Sequence, residues 1–212
     1  MSEPREIAER AEQVADGVWH WRISNSGIGG ATSSSHAVAT EGGCVLVDPV
    51  RLADEALASL PRPVAIALTA KCHQRAAWRY RTQFGVEVWL PEDAPAADEE
   101  PDRRYAEGDE LPGGLTAIRT PGPEWPHYSF LLERGPGALF CSDLIGAAAE
   151  PSPGGAPVLH FIPPEYHEDP DETRRSVEKL LVLPFATLCL DHGAPLLDDP
   201  KAALRRLLET TG

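Results

Sequence analysis

Side chains that could do chemistry are concentrated in one short segment and at two later positions. Cys72 lies within the segment 69–75, and Asp143 and His192 each follow an apolar run in the second half of the chain. Thiolate, carboxylate and imidazole groups are the side chains that bind zinc, and a bound zinc ion turns water into a nucleophile near neutral pH. A metal centre is therefore one chemistry that these residue types could support.

A cysteine nucleophile is the second chemistry, and it depends on Cys72. If the helix begins near Gln74, the thiol lies at a helix N-terminus, beside His73 and near Arg75. Such surroundings lower the pKa of a thiol and favour the nucleophilic thiolate. The opposing interpretation is a packed cysteine with no chemical role, and both interpretations stay open at this point.

The hydrophobic pattern predicts the elements that position these residues in the first half of the chain. Strands are predicted over residues 18–23, 34–40, 44–47, 64–69 and 86–90. A Glu-Gly-Gly step at residues 41–43 makes the second and third strands a hairpin. Helices are predicted over residues 51–60 and 74–84, the latter ending at Gly85 as its C-cap.

The second half repeats this organisation. Strands are expected near residues 115–119, 127–132, 138–142 and 187–190, with helices near 170–182 and 200–210. Asp169 is predicted to cap the first of these helices, with Pro170 in its first turn. We predict one domain over residues 1–212, built from two αβ halves (roughly 15–110 and 111–212) after an N-terminal extension, residues 1–14. The predicted fold class is α+β or α/β, a four-layer αββα sandwich in which two mixed sheets pack face to face.

A succession of landmarks runs along nearly the whole chain. Asp48 follows an early apolar strand, the polar segment 69–75 opens a helix, a Thr-Pro-Gly turn begins at residue 120, a later strand ends in Asp143, and His192 comes late. In order, spacing and strand context, the chain resembles the metallo-β-lactamase superfamily, which includes glyoxalase II-like hydrolases. The resemblance implies the sandwich fold and a cleft that in the family holds one or two cations, usually zinc.

The family's metal ligands are mostly replaced in this chain. Carried over position by position, the ligands of the family correspond to Ala70, Cys72, Gln74, Arg75, Pro123, Asp143 and His192, of which only the last two keep the family's residue type. Ala70 and Pro123 offer no donor atom. Arg75 carries a permanent positive charge, and we expect it to repel zinc and to pair with Asp143.

These replacements favour a protein without the usual activity. No metal cofactor is expected, and the chain is predicted to be a pseudoenzyme with a degenerate metal site that binds a small molecule or a partner protein through the old cleft. Whether it is an enzyme at all is left open by the sequence, since fold similarity supplies a pocket and not a reaction.

The alternative is a hydrolase of the ester or thioester class with a rearranged single zinc ion or with Cys72 as nucleophile. The zinc ligands would come from Cys72, Asp143, His192 and His127, although the family geometry does not direct the first three to one cation. His73 is a further candidate near the lost ligands, but a solvated histidine at a helix start is the favoured interpretation of this residue. His160 and His167 match no ligand position and are interpreted as structural or surface residues.

Composition limits the partners. The formal net charge is −14 and the isoelectric point is about 4.9, which disfavours nucleic acid and anionic membranes because both require clustered basic side chains. The sequence has no leader-like start and no apolar run of membrane-spanning length, so a cytoplasmic location is expected. A homodimer is compatible with the sequence, although no residue demands one.

Overall fold

The structure, a computed structural model, describes residues 3–95, 98–123, 125–148 and 158–210. Its first sheet has seven strands in the order of the chain: β1 (Glu12–Ala15), β2 (Val18–Asn25), β3 (Ala31–Thr40), β4 (Gly43–Val47), β5 (Pro63–Ala67), β6 (Glu87–Pro91) and β7 (Arg103–Tyr105). Strands β1 to β4 pair antiparallel, and β4 to β7 pair parallel. Parallel pairs need crossover connections, and α1 (Asp54–Ala58) and α2 (Ala77–Phe84) lie in two of them.

The second sheet contains the strands of the later half of the chain. They are β8 (Glu110–Leu111), β9 (Leu115–Arg119), β10 (Tyr128–Leu132), β11 (Ala138–Ala147), β12 (Leu159–Phe161) and β13 (Thr187–His192). The spatial order is β12-β11-β10-β9-β8, and β13 pairs parallel with β11. Helices α3 (Pro170–Leu180) and α4 (Pro200–Thr210) complete this half.

Three apolar clusters show how these elements are layered. Val38 and Phe130 belong to the cluster between the two sheets. The opposite face of the first sheet packs against α2, where Ile66 meets Tyr80, and the opposite face of the second sheet packs against α3 and α4 around Leu204. Because side chains alternate between the faces of a strand, each sheet contributes to two clusters, and the predicted four-layer αββα sandwich is confirmed.

Most predicted elements are present with small changes in their ends. Gly85 caps α2 in the left-handed conformation at φ 67°, and Asp169 caps α3 by accepting a hydrogen bond from the amide of Glu172. Residues 12–14, which the sequence assigned to an N-terminal extension, form the start of β1. None of the helices in the described ranges is long and apolar enough to cross a membrane.

The predicted start of the second helix is wrong. Residues Lys71–Gln74 form a short 3-10 turn, and α2 begins only at Ala77. The backbone at Arg75 has a φ of 37°, a left-handed value that a regular helix cannot contain, so the turn and the helix are separate elements. The helix start inferred near Gln74 therefore lies three residues too early.

The loop between β9 and β10 depends on a glycine for its close approach to α3. Gly122 has a φ of 128°, and a Cβ atom there would overlap the backbone nitrogen and Cα of Thr173 in α3. We expect Gly122→Ala to lower the free energy of unfolding by about 3 kcal/mol or more, because steric overlap adds to backbone strain. Chemical denaturation measures the change.

Gly135→Ala is the matched control for this prediction. Gly135 has a φ of 60° but nothing lies within 4 Å of a Cβ atom built there, so only the left-handed strain of about 1–2 kcal/mol applies. Equal losses in the two variants would show that Gly122 does not set the distance between its loop and α3.

Candidate functional site

The candidate site lies where strands of both sheets end. Asp48 directly follows β4, Thr69 follows β5 by two residues, and Asp191 and His192 close β13, while Asp143 lies within β11. Parallel strands bring their carboxyl ends to the same edge of a sheet, which is where open α/β sheets bind ligands. The β4–β5 and β11–β13 pairs are both parallel, so residues far apart in sequence meet here.

Asp143 lies between two imidazoles. Its Oδ2 is 3.1 Å from Nε2 of His73, and its Oδ1 is 2.8 Å from Nε2 of His192. Burial alone would raise the pKa of Asp143, but the charge of His73 and the hydrogen bonds from both histidines hold that pKa well below its usual range. The carboxylate is therefore ionised throughout the physiological range.

Both ring nitrogens of His192 face hydrogen-bond acceptors. Its Nδ1 donates to the carbonyl oxygen of Thr32 at 2.7 Å, and its Nε2 faces Asp143. Burial lowers the pKa of His192, yet the hydrogen bond and charge of Asp143 outweigh burial and raise it above its ordinary value. An imidazolium bridges the two sheets, because Thr32 belongs to β3 and Asp143 to β11.

His73 is held by acidic groups on both sides of its ring. Opposite Asp143, its Nδ1 lies 3.0 Å from Oδ2 of Asp191 and 3.4 Å from Oδ2 of Asp48. Burial lowers the pKa of His73, but the charge of Asp143 leads the effects that raise it well above its usual value. The expectation of a solvated histidine at a helix start is therefore wrong for His73, which is 3% exposed.

Thr69 orders the acidic side of this ring. Its amide donates to Oδ1 of Asp48 at 2.9 Å, and its hydroxyl donates to Oδ2 of the same carboxyl group at 2.6 Å. The hydroxyl oxygen also lies 2.9 Å from Nδ1 of His73 and 2.7 Å from Oγ of Ser142. Since Asp48 takes the hydroxyl proton, the oxygen can accept from His73, and the ring orientation is fixed.

Arg75 is a buried cation in this network. Only 5% of the residue is exposed. Its Nη2 lies 3.0 Å from Oδ2 of Asp191, and its Nη1 donates to the carbonyl oxygens of Ser34 at 2.7 Å and Asp48 at 3.0 Å. The predicted ion pair with Asp143 is thus wrong: Asp191, the neighbour of His192, points towards the guanidinium, while both oxygens of Asp143 contact histidines.

The network balances three carboxyl groups against three basic groups. Asp48, Asp143 and Asp191 face the basic residues His73, Arg75 and His192. Burial raises the pKa of Asp191 to about 6, even though His73 and Arg75 act to lower it. Two of the six, Asp48 and Arg75, have positive φ values of 45° and 37°, a strain that residues tolerate only where their surroundings fix them.

Cys72 contacts this network through its sulfur. It lies in the 3-10 turn, half-buried, and its Sγ donates to Oδ2 of Asp143 at 3.6 Å. The 3-10 turn is too short to give the thiol a helix N-terminus, so that part of the expected surroundings is absent. The expected neighbours His73 and Arg75 are present, and the charges of both interact with Cys72.

The remaining predicted site residues are His127, Gln74, Ala70 and Pro123. Nδ1 of His127 donates to the carbonyl oxygen of Thr120 at 2.8 Å, which leaves Nε2 to accept the amide proton of Asp143 at 3.0 Å. The side-chain oxygen of Gln74 accepts hydrogen bonds from the indole nitrogen of Trp78 and from the amide of Asp98. Ala70 and Pro123 contribute only buried backbone and apolar atoms, as expected from their types.

Two groups of donor atoms could nevertheless hold a metal ion. One consists of Cys72, His73 and Asp143, and the other of Asp48, His73 and Asp191; within each group the donor atoms lie within 4.8 Å of one another. The first has a thiol, an imidazole and a carboxyl group, a donor set that suits zinc. Arg75 already pairs with Asp191 in the second. These groups conflict with the expectation of no metal cofactor and are compatible with the zinc alternative, in which His73 takes the place given to His192 and His127.

Sequence reasoning missed several residues of the site. Asp191, Thr69 and Ser142 belong to the network, and the sequence did not predict a role for any of them. His160, interpreted as a structural or surface residue, is exposed as that interpretation allows. It also lies beside the site, because Gly146 in β11 pairs with His160 on one side and with His192 on the other. Only the sheet register, which joins residues 46 positions apart, reveals this neighbour.

Comparison with known proteins identifies the fold. No protein family model and no curated sequence matches the chain. The structure resembles the DIM-1 metallo-β-lactamase (TM-score 0.69, 14% identity, 98% of this chain and 100% of that chain) and the mono-zinc form of the metallo-β-lactamase FIM-1 from Pseudomonas aeruginosa (0.66, 14%, 98% and 98%). It also resembles TTHA1623 in a di-iron-bound form (0.61, 23%, 84% and 94%). The structural likeness confirms the metallo-β-lactamase fold. The identities of 14–23% show that the sequence of this chain has diverged from those of the matched structures.

Removing the buried guanidinium tests the charge balance of the site. We expect Arg75→Met to lower the free energy of unfolding by about 3–5 kcal/mol, because Asp191 then keeps a buried charge without its partner. Arg79→Met on α2 is the matched control, since Arg79 makes an exposed ion pair with Glu3 and such pairs contribute little. Denaturant midpoints measure both, and similar midpoints would contradict a network that depends on Arg75.

Proposed function

We propose that this chain, which has the metallo-β-lactamase fold, does not act as a two-metal hydrolase and instead binds a small polar molecule in the old cleft. The observation that supports this proposal is the buried Arg75 side chain. A guanidinium stays protonated under all ordinary conditions, so its positive charge beside Asp191 stands in for a metal ion. A second cation next to it would be repelled.

Accessibility supports a small ligand at one part of the network. The side chains of Asp143 and His192 are each 20% exposed, whereas those of Asp48, His73 and Asp191 are 1–5% exposed. A ligand from solvent can therefore reach the Asp143–His192 pair and the half-buried Cys72 before any other member. An anion beside a cation suits a ligand that offers both a hydrogen-bond donor and an acceptor.

A single divalent cation is the second candidate function, supported by the donor group Cys72, His73 and Asp143. When bound, a zinc ion would supply a Lewis acid and an acidified water molecule. Cys72 and His73 would each lose a proton to bind it, so its affinity would rise with pH. His192 would keep its hydrogen bond to Oδ1 of Asp143 and orient that carboxylate. This is the single-metal alternative, with an ester or thioester as the substrate class.

The net charge and the free cysteines support proposals about the partners and the cellular location of the protein. The acidic surface, with a net charge of −14, supports a protein that binds neither nucleic acid nor anionic membranes. Cys44, Cys141 and Cys189 are buried thiols outside any disulfide, which supports a reducing compartment such as the cytoplasm. A homodimer stays a prediction that sedimentation can test.

Metal content is the measurement that separates the two candidates. We expect protein purified without added zinc to contain less than about one-tenth of a zinc ion per chain, and its thermal midpoint to stay unchanged in chelator, because Arg75 replaces a metal charge. One tightly bound zinc ion per chain would contradict this proposal. If that zinc were lost in Cys72→Ala and kept in the neighbouring control Lys71→Ala, the single-metal candidate would replace it.

Ligand binding tests the remaining part of the proposal. A screen of small polar molecules by thermal shift, followed by calorimetry, should find ligands whose binding weakens at least about tenfold in His192→Gln, a loss that corresponds to one charge-assisted hydrogen bond. Glu133→Gln, a change of an exposed residue beyond β10, is the control. Binding that is equal in both variants would place the ligand outside the cleft.

A further inference from the structure

Two histidines that belong to neither candidate donor group are buried between the sheets. His20 in β2 and His36 in β3 are directly paired across the strands, and their ring centroids lie 5.2 Å apart. They are 6% and 1% exposed. Phe140 of the second sheet packs edge-on against His36 at 5.3 Å, so both imidazoles belong to the interior between the sheets.

Three nitrogens of this pair lack a hydrogen-bond partner. Among the described residues, nothing bonds to Nε2 of His20 or to Nδ1 and Nε2 of His36. The carbonyl oxygen of Gly193 accepts a hydrogen bond from His20, which assigns the proton of that ring to Nδ1 and a bare lone pair to Nε2. Buried polar atoms without partners are rare and destabilising, and a chain that keeps three together calls for a physical reason.

The charges around the pair oppose any added positive charge. Burial, followed by the charge of Arg22, lowers the pKa of His20 to about 4. Burial, then His20 and then Arg75 hold the pKa of His36 well below its ordinary value. Glu12 faces His20 from β1 but is exposed and pairs with Arg10. A metal cation would meet the same opposition, so the pair is suited to remaining neutral.

The pair is mechanically connected to the candidate site through β3. The carbonyl oxygen of Thr32 accepts from His192, and that of Ser34 accepts from Arg75. The hydroxyl of Ser34 also donates to the carbonyl oxygen of Gly193 at 2.8 Å. A displacement of β3 around His36 would therefore move the acceptors that hold two of the three basic groups of the site.

We propose that His20 and His36 form an acid-sensitive element: β3 packs against the second sheet only while both imidazoles are neutral, and their protonation loosens β3 and the site together. Acidification below about pH 5 is the trigger. The surroundings of His20 and His36 oppose protonation. Those of His73 and His192 favour it, because carboxyl groups face both rings.

Stability against pH gives the first test. The pKa of His20 is lower in the folded chain than in the unfolded chain, about 4 against 6.5, so the unfolded chain binds the proton first. Stability is complete above about pH 6.5 and is lost as the pH falls towards 4. Between pH 7 and pH 5, His20 alone should raise the unfolding constant roughly twentyfold.

A double variant, His20→Leu with His36→Leu, removes both titrating rings. We expect its unfolding constant to change at least about tenfold less than that of the wild type between pH 7 and pH 5, and the amides of residues 31–40 to keep their protection from hydrogen exchange. Val38→Ala, on the same face of β3, is the matched control, since it should weaken the core equally at both pH values. Equal pH dependence in the wild type and the double variant would overturn the proposal.

A titration of the wild type decides the question if the double variant does not fold. The ring signals of His20 and His36 in the nuclear magnetic resonance spectrum should stay those of neutral imidazole down to about pH 5, and should disappear together with the folded signals of β3 on further acidification. Titration of either ring near pH 6.5, with the folded spectrum unchanged, would overturn the proposal.

Discussion

The site depends on one electrostatic constraint: a carboxyl group removed from water needs a compensating positive charge. Three carboxyl groups converge where parallel strands of the two sheets end. Arg75 and the rings of His73 and His192 contact these carboxyl groups from within the polypeptide.

This constraint also explains the strained backbone. Asp48 and Arg75 both have left-handed φ values, which ordinary residues avoid at a cost of about 1–2 kcal/mol each. The side chain of Asp48 binds the amide and hydroxyl of Thr69, and its carbonyl oxygen accepts from Arg75. The two strained residues thus hold each other, and the ion pair of Arg75 with Asp191 is attached to that arrangement. Strain and charge balance are parts of one structure.

The sequence predicted the layers well and the contacts of the site less well. Strand alternation, the cap at Gly85 and the cap at Asp169 are local signals, and the elements that they predicted are present. Cys72, Asp143 and His192 were found because a motif marks them. The partner of Arg75 was not predicted, because Asp191 lies 116 positions further along the chain. Only the packing of the two sheets decides which of two nearby carboxyl groups faces the guanidinium.

The same strand, β3, meets opposite electrostatic demands along its length. At Thr32 and Ser34 its carbonyl oxygens face cations, and two residues further on His36 lies where a cation is excluded. Arg75 contributes to both, because the charge that balances Asp191 also repels a proton from His36. Arg75 is held in part by β3, because its guanidinium donates to the carbonyl oxygen of Ser34. The charge of the site is therefore tied to the packing of the sheets, and through that connection the proposed acid-sensitive pair would act on the site.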